Sequence, residues 1–297
     1  MTEAGVTAFG VADCGPIDST DAAVFDNWIA RGMHAGMDYM ERHADLRRDP
    51  QSLLPGCRSV VSCAIAYDCG VHHPGIATYA LGNDYHEVVR RNLERVAAFI
   101  RETIGGETRV CVDTAPLRER YWAVRAGVGF MGINGHLIVP GAGCACFLGE
   151  ILTTVRIEPT RPLDQTRCDQ TRCEECGACV KACPTGALRG DGSVDARRCL
   201  SYLTIEHRGD FPTGTDLHGR LYGCDACVRA CPHNRAGLCT VDELQPRPEV
   251  MEVTADMAAV MTQEDFSRRF SHSAIKRAKL AGLHRNAAAL LRPPKKQ

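Results

Sequence analysis

The sequence predicts an α+β protein in three parts: an α/β-like domain with a central sheet over residues 1–160, a cysteine-rich module over 161–240, and a basic helical closing segment over 241–297. Three observations predict it. Short apolar runs alternate with amphipathic stretches up to about residue 158, the signature of strands and helices sharing one sheet. Cysteines crowd between Cys168 and Cys239, and from Arg268 onward the chain carries Lys and Arg with no Asp or Glu.

In the first part, Val60–Tyr67, Arg109–Val112, His136–Val139 and Phe147–Leu152 read as strands. Asp21–His34 reads as a helix with Phe25, Trp28 and Ile29 on one face. Asp84–Thr103 reads as another with Tyr85, Val89, Leu93, Val96 and Ile100 inward, and Leu117–Ala126 as a third, ended by Gly127. A stretch rich in Pro, Thr and Arg, from Glu158 to Arg167, marks the boundary. After the cysteines, Pro246 and Pro248 precede helices expected over Gln263–Phe270 and Ser273–Leu291.

With 297 residues, 44% hydrophobic and 24% charged, the chain can bury one large core and a second module. Glu3 stands where a signal peptide would be positively charged, and nothing approaches the run of about 18 apolar residues that a membrane span needs. A cytoplasmic location is expected. There, 17 cysteines argue for metal chemistry rather than a disulfide framework. The net charge of -1 predicts no strong overall attraction to nucleic acid, although an average can hide a segregated patch.

Cys173-x2-Cys176-x2-Cys179-x3-Cys183-Pro184 has bacterial ferredoxin spacing, and Cys224-x2-Cys227-x3-Cys231-Pro232 repeats its latter part. Two 4Fe-4S clusters in a ferredoxin-like module are implied. Each CxxCxxC loop supplies three thiolates, while the cysteine before Pro ligates the other cluster. Cys173, Cys176, Cys179 and Cys231 therefore form one set; Cys183, Cys224 and Cys227 need one more, for which Cys199 is the nearest unused cysteine. Structural zinc or buried free thiols are the alternatives, but tandem cysteine-proline runs are rare outside dicluster proteins. Cys14, Cys57, Cys63, Cys69, Cys111, Cys144, Cys146, Cys168 and Cys239 remain as small buried hydrophobes.

Two clusters make a one-electron wire, and a wire needs a terminus. The first 158 or so residues hold no flavin motif or haem attachment site. Gly127-Val128-Gly129-Phe130-Met131-Gly132 matches G-x-G-x-x-G but follows an expected helix, where a dinucleotide site requires a strand. A glycine turn that lets backbone approach another large ligand remains open.

Together with further motifs, these residues resemble the cobalamin-dependent epoxyqueuosine reductases, distant relatives of reductive dehalogenases. The likeness is carried by Gly36 to Met40, Tyr79-Ala80, Asp84-Tyr85-His86, Asp113-Thr114-Ala115-Pro116, Gly127 to Gly132 and Phe147 to Glu150. It continues through Asp195 to Glu206, Tyr222 to Asp225 and Cys231-Pro232, and the closing Ser273 to Ala278 and Gly282 to Asn286 resemble the short form without helical repeats. The resemblance implies that the first part binds base-off cobalamin and that the enzyme reduces the epoxide of epoxyqueuosine, at the wobble position of tRNAs with a GUN-type anticodon, to queuosine. It also supports Cys199 as the missing ligand. An electron donor of the flavodoxin or ferredoxin class, a monomeric state and no membrane partner are expected. Ile133, the run Cys144-Ala145-Cys146 and His233 depart from the family pattern. The other readings are a dicluster electron carrier, which has no need of the first domain, and a cobalamin-dependent, dehalogenase-like reductase of a small molecule.

Asp113 closes an expected strand. From the residues alone it reads as a helix cap with Thr114 and Pro116; the resemblance makes it the proton donor to the epoxide oxygen, with burial expected to raise its pKa. His86 lies in a D-x-H-x-x-G-like segment whose glycine position is Val89, and reads as a locally packed histidine rather than a cobalt ligand. The resemblance aligns Arg42, Tyr79 and Leu137 with cobalamin contacts and places Ser201, Cys224 and Asp225 beside cluster ligands, where a corrin must approach. It leaves Tyr202 and Thr204 to face tRNA. In the basic segment Ile275, Leu280 and Leu283 can dock the chain, leaving Lys276, Arg277 and Lys279 to meet phosphates.

Overall fold

The structure, a computed structural model, describes residues 1–161 and 170–292. Six strands form among the described residues: β1 (Ala8–Asp13), β2 (Ser59–Ala66), β3 (Thr108–Cys111), β4 (Phe130–Met131), β5 (Leu137–Ile138) and β6 (Cys146–Thr153). The main sheet has the order β1-β2-β6-β3, antiparallel throughout, with Ser59 opposite Thr153 and Ala66 opposite Cys146 at the centre. β4 and β5 pair separately as a hairpin rather than joining it. β1 was not expected from the sequence.

β2 is buried along its whole length, and its alternate side chains enter different cores. Val61, Cys63 and Ile65 pack with α3 (Tyr85–Ile104) in one apolar cluster, and Val60 and Ala64 with α4 (Glu119–Arg125) in another. α3 forms because Asp84 caps its start, accepting from the His86 N–H, and Val89, Leu93, Val96 and Ile100 recur on one face. Gly105, at φ 80°, ends it. α1 (Ser19–Ala30) lies outside the sheet, with Phe25, Trp28 and Ile29 half-buried and Trp28 donating to the Val194 carbonyl at 2.8 Å. The short α2 (Asp38–Arg42) follows it.

The cysteine-rich part contains α5 (Gln170–Cys176), α6 (Ala178–Ala182), α7 (Leu200–Ile205) and α8 (Ala226–Arg229). Its Cys173, Cys179, Leu188 and Val228 join the core on the α3 side. The closing segment contains α9 (Pro248–Met251), α10 (Ala255–Ala259), α11 (Gln263–Arg269) and α12 (Lys279–Leu291). The single helix expected over Ser273–Leu291 is instead a 3-10 turn, Ala274–Ala278, followed by α12, with Lys279 at φ 61° at the break. Asn286 is fully buried and donates to the Thr204 and Leu221 carbonyls, while Arg285 donates to the Leu203 and His207 carbonyls. These bonds pin α7, and with it the position of Cys199 at its N-cap. Among the described residues no helix is long and apolar enough to cross a membrane. Cys168, Lys295 and Lys296 lie outside the described residues.

Candidate functional site

Three groups of side chains converge around one end of the sheet. The first surrounds Asp113, which follows β3 with φ 41°, a left-handed conformation that a non-glycine residue adopts only when its surroundings enforce it. Its Oδ2 accepts from the Tyr85 hydroxyl at 2.6 Å and lies 2.9 Å from His86 Nε2, while His86 Nδ1 lies 2.7 Å from Asp84 Oδ1. His86 thus bridges two carboxylates. The cap reading fails: α4 begins at Glu119, its N-cap position is Arg118 with no side-chain cap bond, and the Asp113 carboxyl bonds run to Tyr85 and His86.

The charges follow from these contacts. Enclosure by protein pushes the Asp113 carboxyl up, but hydrogen bonds from His86 and Tyr85 and the His86 charge outweigh it and hold the pKa below its ordinary value. Enclosure acts in the expected, raising direction, and the rise itself was expected from burial against a bound corrin. Half of the side chain still meets solvent, 52% by area, so the group sits in an open mouth rather than a sealed core. Burial opposes protonation of His86, yet Asp113 and Asp84 raise its pKa to about 9. The resident proton at neutral pH is therefore on His86. Burial and the nearby Asp113 charge raise Glu119, whose Oε1 accepts the Asp113 N–H, to about 8. Tyr85, His86 and Glu119 were not expected as site residues; the only sequence signal was the proximity of an aspartate to each, in Asp84-Tyr85-His86 and in the segment after Asp113.

Aromatic rings lead away from this cluster. Tyr85 stacks on Phe147 at 4.4 Å between centroids and Phe147 lies 4.7 Å from Tyr67, which is near enough to Cys227 and Asp225 to feel their charges. Tyr79 lies edge-on to Tyr85 at 5.9 Å and beside Tyr222. Asp225 is buried and its Oδ2 accepts the Thr78 N–H, fixing the chain next to Tyr79.

The second group is the thiols. Cys173, Cys176, Cys179 and Cys231 line one cavity of about 290 Å³ with Asn134, Ile138 and His233. Cys183, Cys199, Cys224 and Cys227 form another set: burial raises Cys227 to about 12, with further contributions from Cys199, Cys224 and Cys183. Amide N–H groups of Ser201 and Tyr202 point at the Cys199 sulfur, and the Ala187 N–H reaches Cys183 Sγ at 3.3 Å. Gathered sulfurs ringed by amide donors suit thiolates carrying the charge of an iron–sulfur cluster.

The third group lines a cleft of about 400 Å³: Asp38, Tyr39, Arg42, Glu206, Arg208, Lys276, Arg277 and Lys279. Arg42 therefore belongs with the basic residues, whereas Tyr79 lies in the aromatic group. Arg277 is committed to both Glu206 oxygens, at 2.7 and 2.8 Å, and sits over the Tyr39 ring. Asp113 is close enough to act electrostatically on Tyr39 and Arg277, so the cleft and the acid cluster are neighbours.

Three expectations are corrected by burial. Thr204 does not face a tRNA: it is fully buried, its hydroxyl donating to the Leu200 carbonyl and accepting the Gly223 N–H. Tyr202 is also buried, its hydroxyl accepting the Gly36 N–H at 2.9 Å. Leu137 packs in the core on the α4 side and offers no free side chain to a ligand. Ser201 and Cys224 are half-buried beside the second thiol set. Of the remaining cysteines, Cys57, Cys63, Cys111, Cys144 and Cys239 are buried, while Cys14, Cys69 and Cys146 are only half-buried.

The family description "4Fe-4S double cluster binding domain" matches residues 172–234, and "Epoxyqueuosine reductase QueG, DUF1730" matches residues 47–114. The epoxyqueuosine reductase of Gloeobacter violaceus is 38% identical over 301 residues, covering 97% of this chain and 92% of the relative. That of Cyclobacterium marinum is 36% identical over 92% of this chain and 90% of the relative. An epoxyqueuosine reductase crystallised with an epoxyqueuosine-modified tRNA-Tyr stem loop superposes with a TM-score of 0.82 at 29% identity, over 97% of this chain and 78% of that one. The Bacillus subtilis epoxyqueuosine reductase, captured with its catalytic aspartate loop swung out of the active site, gives a TM-score of 0.83 at 29% identity and the same coverage. Alike in sequence over nearly its whole length and in fold, the chain belongs to the epoxyqueuosine reductase family.

Proposed function

We propose that the chain reduces the epoxide of epoxyqueuosine, at the wobble position of a tRNA with a GUN-type anticodon, to the alkene of queuosine, and that it does so in the cytoplasm. One observation carries this reading: the acid cluster around Asp113 and the second thiol set share one end of the sheet, linked by the rings of Tyr85, Phe147 and Tyr67. The reaction consumes two electrons and two protons and releases the epoxide oxygen as water, so a redox path and a proton path must meet there.

Cys173, Cys176, Cys179 and Cys231 are assigned to one 4Fe-4S cluster, and Cys183, Cys199, Cys224 and Cys227 to the other. When present, the clusters pass single electrons from a donor of the flavodoxin or ferredoxin class. The residues also fit a base-off cobalamin. Half-buried Tyr79 lies within electrostatic reach of Asp225, and both ring nitrogens of His86 are engaged by carboxylates, so that histidine is not available to bind a metal. Tyr79, Ser201 and Asp225 would hold the group. Cobalamin, when bound, supplies low-potential reducing chemistry at the epoxide carbon. On this reading the parts 1–160, 161–240 and 241–297 each contribute: the pocket draws Tyr79 from the first and Ser201 and Asp225 from the second, and the basic cleft draws Arg42 from the first and Lys276 and Lys279 from the third.

The proton path uses residues already in contact. His86 gives its Nε2 proton to Asp113, whose carboxyl delivers it to the epoxide oxygen, and His86 is recharged for the second proton. Tyr85 keeps its own proton, because burial pushes its pKa up, and steadies Asp113 Oδ2. Lys276, Lys279 and Arg42 line the cleft where phosphates of the anticodon arm would lie. A loop base enters such a site without breaking a duplex.

The test is anaerobic reconstitution with iron, sulfide, cobalamin and a chemical reductant, followed by nucleoside mass spectrometry of epoxyqueuosine-containing tRNA. Conversion to queuosine is expected. A protein with about eight irons and bound cobalamin that leaves the epoxide intact overturns the reading, and clusters without any cobalamin affinity favour an electron carrier.

A further inference from the structure

The segment spanning β4, β5 and the turn that follows carries two side chains that reach the proposed cluster ligands, and neither has a part in the proton path above. His136, just before β5, places Nε2 4.0 Å from Cys227 Sγ, and its backbone N–H is held by Asn134 Oδ1 at 3.1 Å. Beyond β5, Cys144 is buried, with its N–H on Asn234 Oδ1 at 2.6 Å and its sulfur receiving Asn134 Nδ2 at 3.7 Å. Asn234, which accepts the Cys144 N–H, donates its own N–H to the Cys231 carbonyl at 3.1 Å, so Cys144 is held beside Cys231 with its thiol in reach of that sulfur. Asn134 and Cys231 line the same thiol cavity, so Cys144 sits directly behind its wall.

The two contacts fall on different thiol sets. Reduction adds negative charge to a cluster and its sulfurs, so a nearby hydrogen-bond donor stabilises the reduced state and raises the reduction potential. We propose that His136, as the tautomer with its proton on Nε2, and Cys144 set the potentials of the two clusters separately: His136 raises that of the cluster held by Cys227, and Cys144 raises that of the cluster held by Cys231. The inference rests on the ligand sets proposed above.

Anaerobic redox titration of the holoprotein, followed by electron paramagnetic resonance, tests it, with iron and sulfide counted on the same samples. A Cys199→Ser sample identifies which midpoint belongs to which cluster. Cys144→Ala is expected to lower the reduced-to-oxidised ratio of the Cys231 cluster about tenfold at fixed potential, 59 mV for a one-electron couple, leaving the other midpoint in place. Cys144→Ser, which keeps a hydroxyl donor, restores most of the shift. His136→Phe moves only the Cys227 cluster, and His136→Gln, which keeps an N–H, stays near wild type. Full iron content with unmoved midpoints overturns the tuning role alone, as does a shift in the wrong cluster. Loss of half the iron from Cys144→Ala or His136→Phe makes that residue a ligand and overturns the ligand sets as well.

Discussion

The thiol sets and the acid cluster meet at one end of the sheet but are assembled in opposite ways. Seven of the eight proposed cluster ligands come from two compact motifs, Cys173 to Cys183 and Cys224 to Cys231, with Cys199 the exception. The acid cluster draws Asp84, Tyr85 and His86 from the start of α3, Asp113 from the loop after β3 and Glu119 from the start of α4. A cluster loop must wrap three corners of one small object, so its geometry is written in local spacing. A proton network needs only that its members meet in space, and sequence spacing does not record that.

The comparison is weakest at Cys199, the one ligand without a motif, and the largest expected effect lies there. Cys199→Ser should lose one cluster and keep the other, leaving about four irons of about eight, and turnover should fall below detection because the electron path is cut. Iron and sulfide analysis checks this directly; full iron content would remove Cys199 from the ligand set.

Asp113→Asn should bind cobalamin and retain both clusters, yet turn over more slowly by about 10²- to 10⁴-fold, the span expected when a positioned acid is removed. Single-turnover assays on the loaded variant separate the chemical step from binding. Near-normal turnover would leave Asp113 as a strained loop residue whose carboxylate serves only to hold Tyr85 and His86.

The main-sheet strands β2 and β6 were legible because they are long and apolar, and the face of α3 because Val89, Leu93, Val96 and Ile100 repeat at helical spacing. β1 escaped because Gly10 interrupts a short edge strand with exposed Phe9. The break at Lys279 escaped because no Gly or Pro marks it. Asp113 was expected at a strand end and does follow β3, but in an antiparallel sheet, and it reaches the site through its own φ of 41° and its bonds to His86 and Tyr85. Residues near Cys199 were mistaken for substrate contacts because proximity in sequence to a ligand says nothing of direction: Thr204 points inward to brace α7. Arg285, another cation of the basic segment, is likewise spent on backbone carbonyls.

His86 sharpens the comparison further, because its role exists only in the folded chain. Its pKa is raised to about 9 against an ordinary 6.5, so the protonated form and the stabilisation it brings to the pair with Asp113 are fully present below about 6.5 and lost as pH rises through about 9. Turnover should fall over that upper range. His86→Gln, which can still donate to Asp113 but carries no titrating proton, should be slower by about 10²-fold at neutral pH and lack the alkaline limb. A variant that keeps the wild-type pH profile would place the titrating group elsewhere, with Glu119 the next candidate.

The smallest expected effect concerns the basic cleft, which shares features with both assemblies: its cations cluster in sequence, but only the fold selects those available to a ligand. Arg277 is held bidentately by Glu206, so replacing it would strand a half-buried carboxylate and confuse a binding defect with a folding one. Lys276 and Lys279 line the same cleft, and among the described residues neither side chain has an acid or carbonyl partner to constrain the test in that way. The Lys276→Ala/Lys279→Ala double variant should therefore keep iron, cobalamin and thermal stability while weakening tRNA binding. If each lysine meets one phosphate, the log-log salt slope flattens by roughly 1.4 to 1.8, which makes the loss of affinity large at low salt and small at high salt. Adding Arg42→Ala should flatten the slope again and leave cobalamin affinity unchanged, because Arg42 lines this cleft; a loss of cobalamin affinity would move it to the corrin pocket. Fluorescence anisotropy with a labelled anticodon stem loop across a salt series reads both, and a double variant with the wild-type slope would reduce the cleft to a solvated surface.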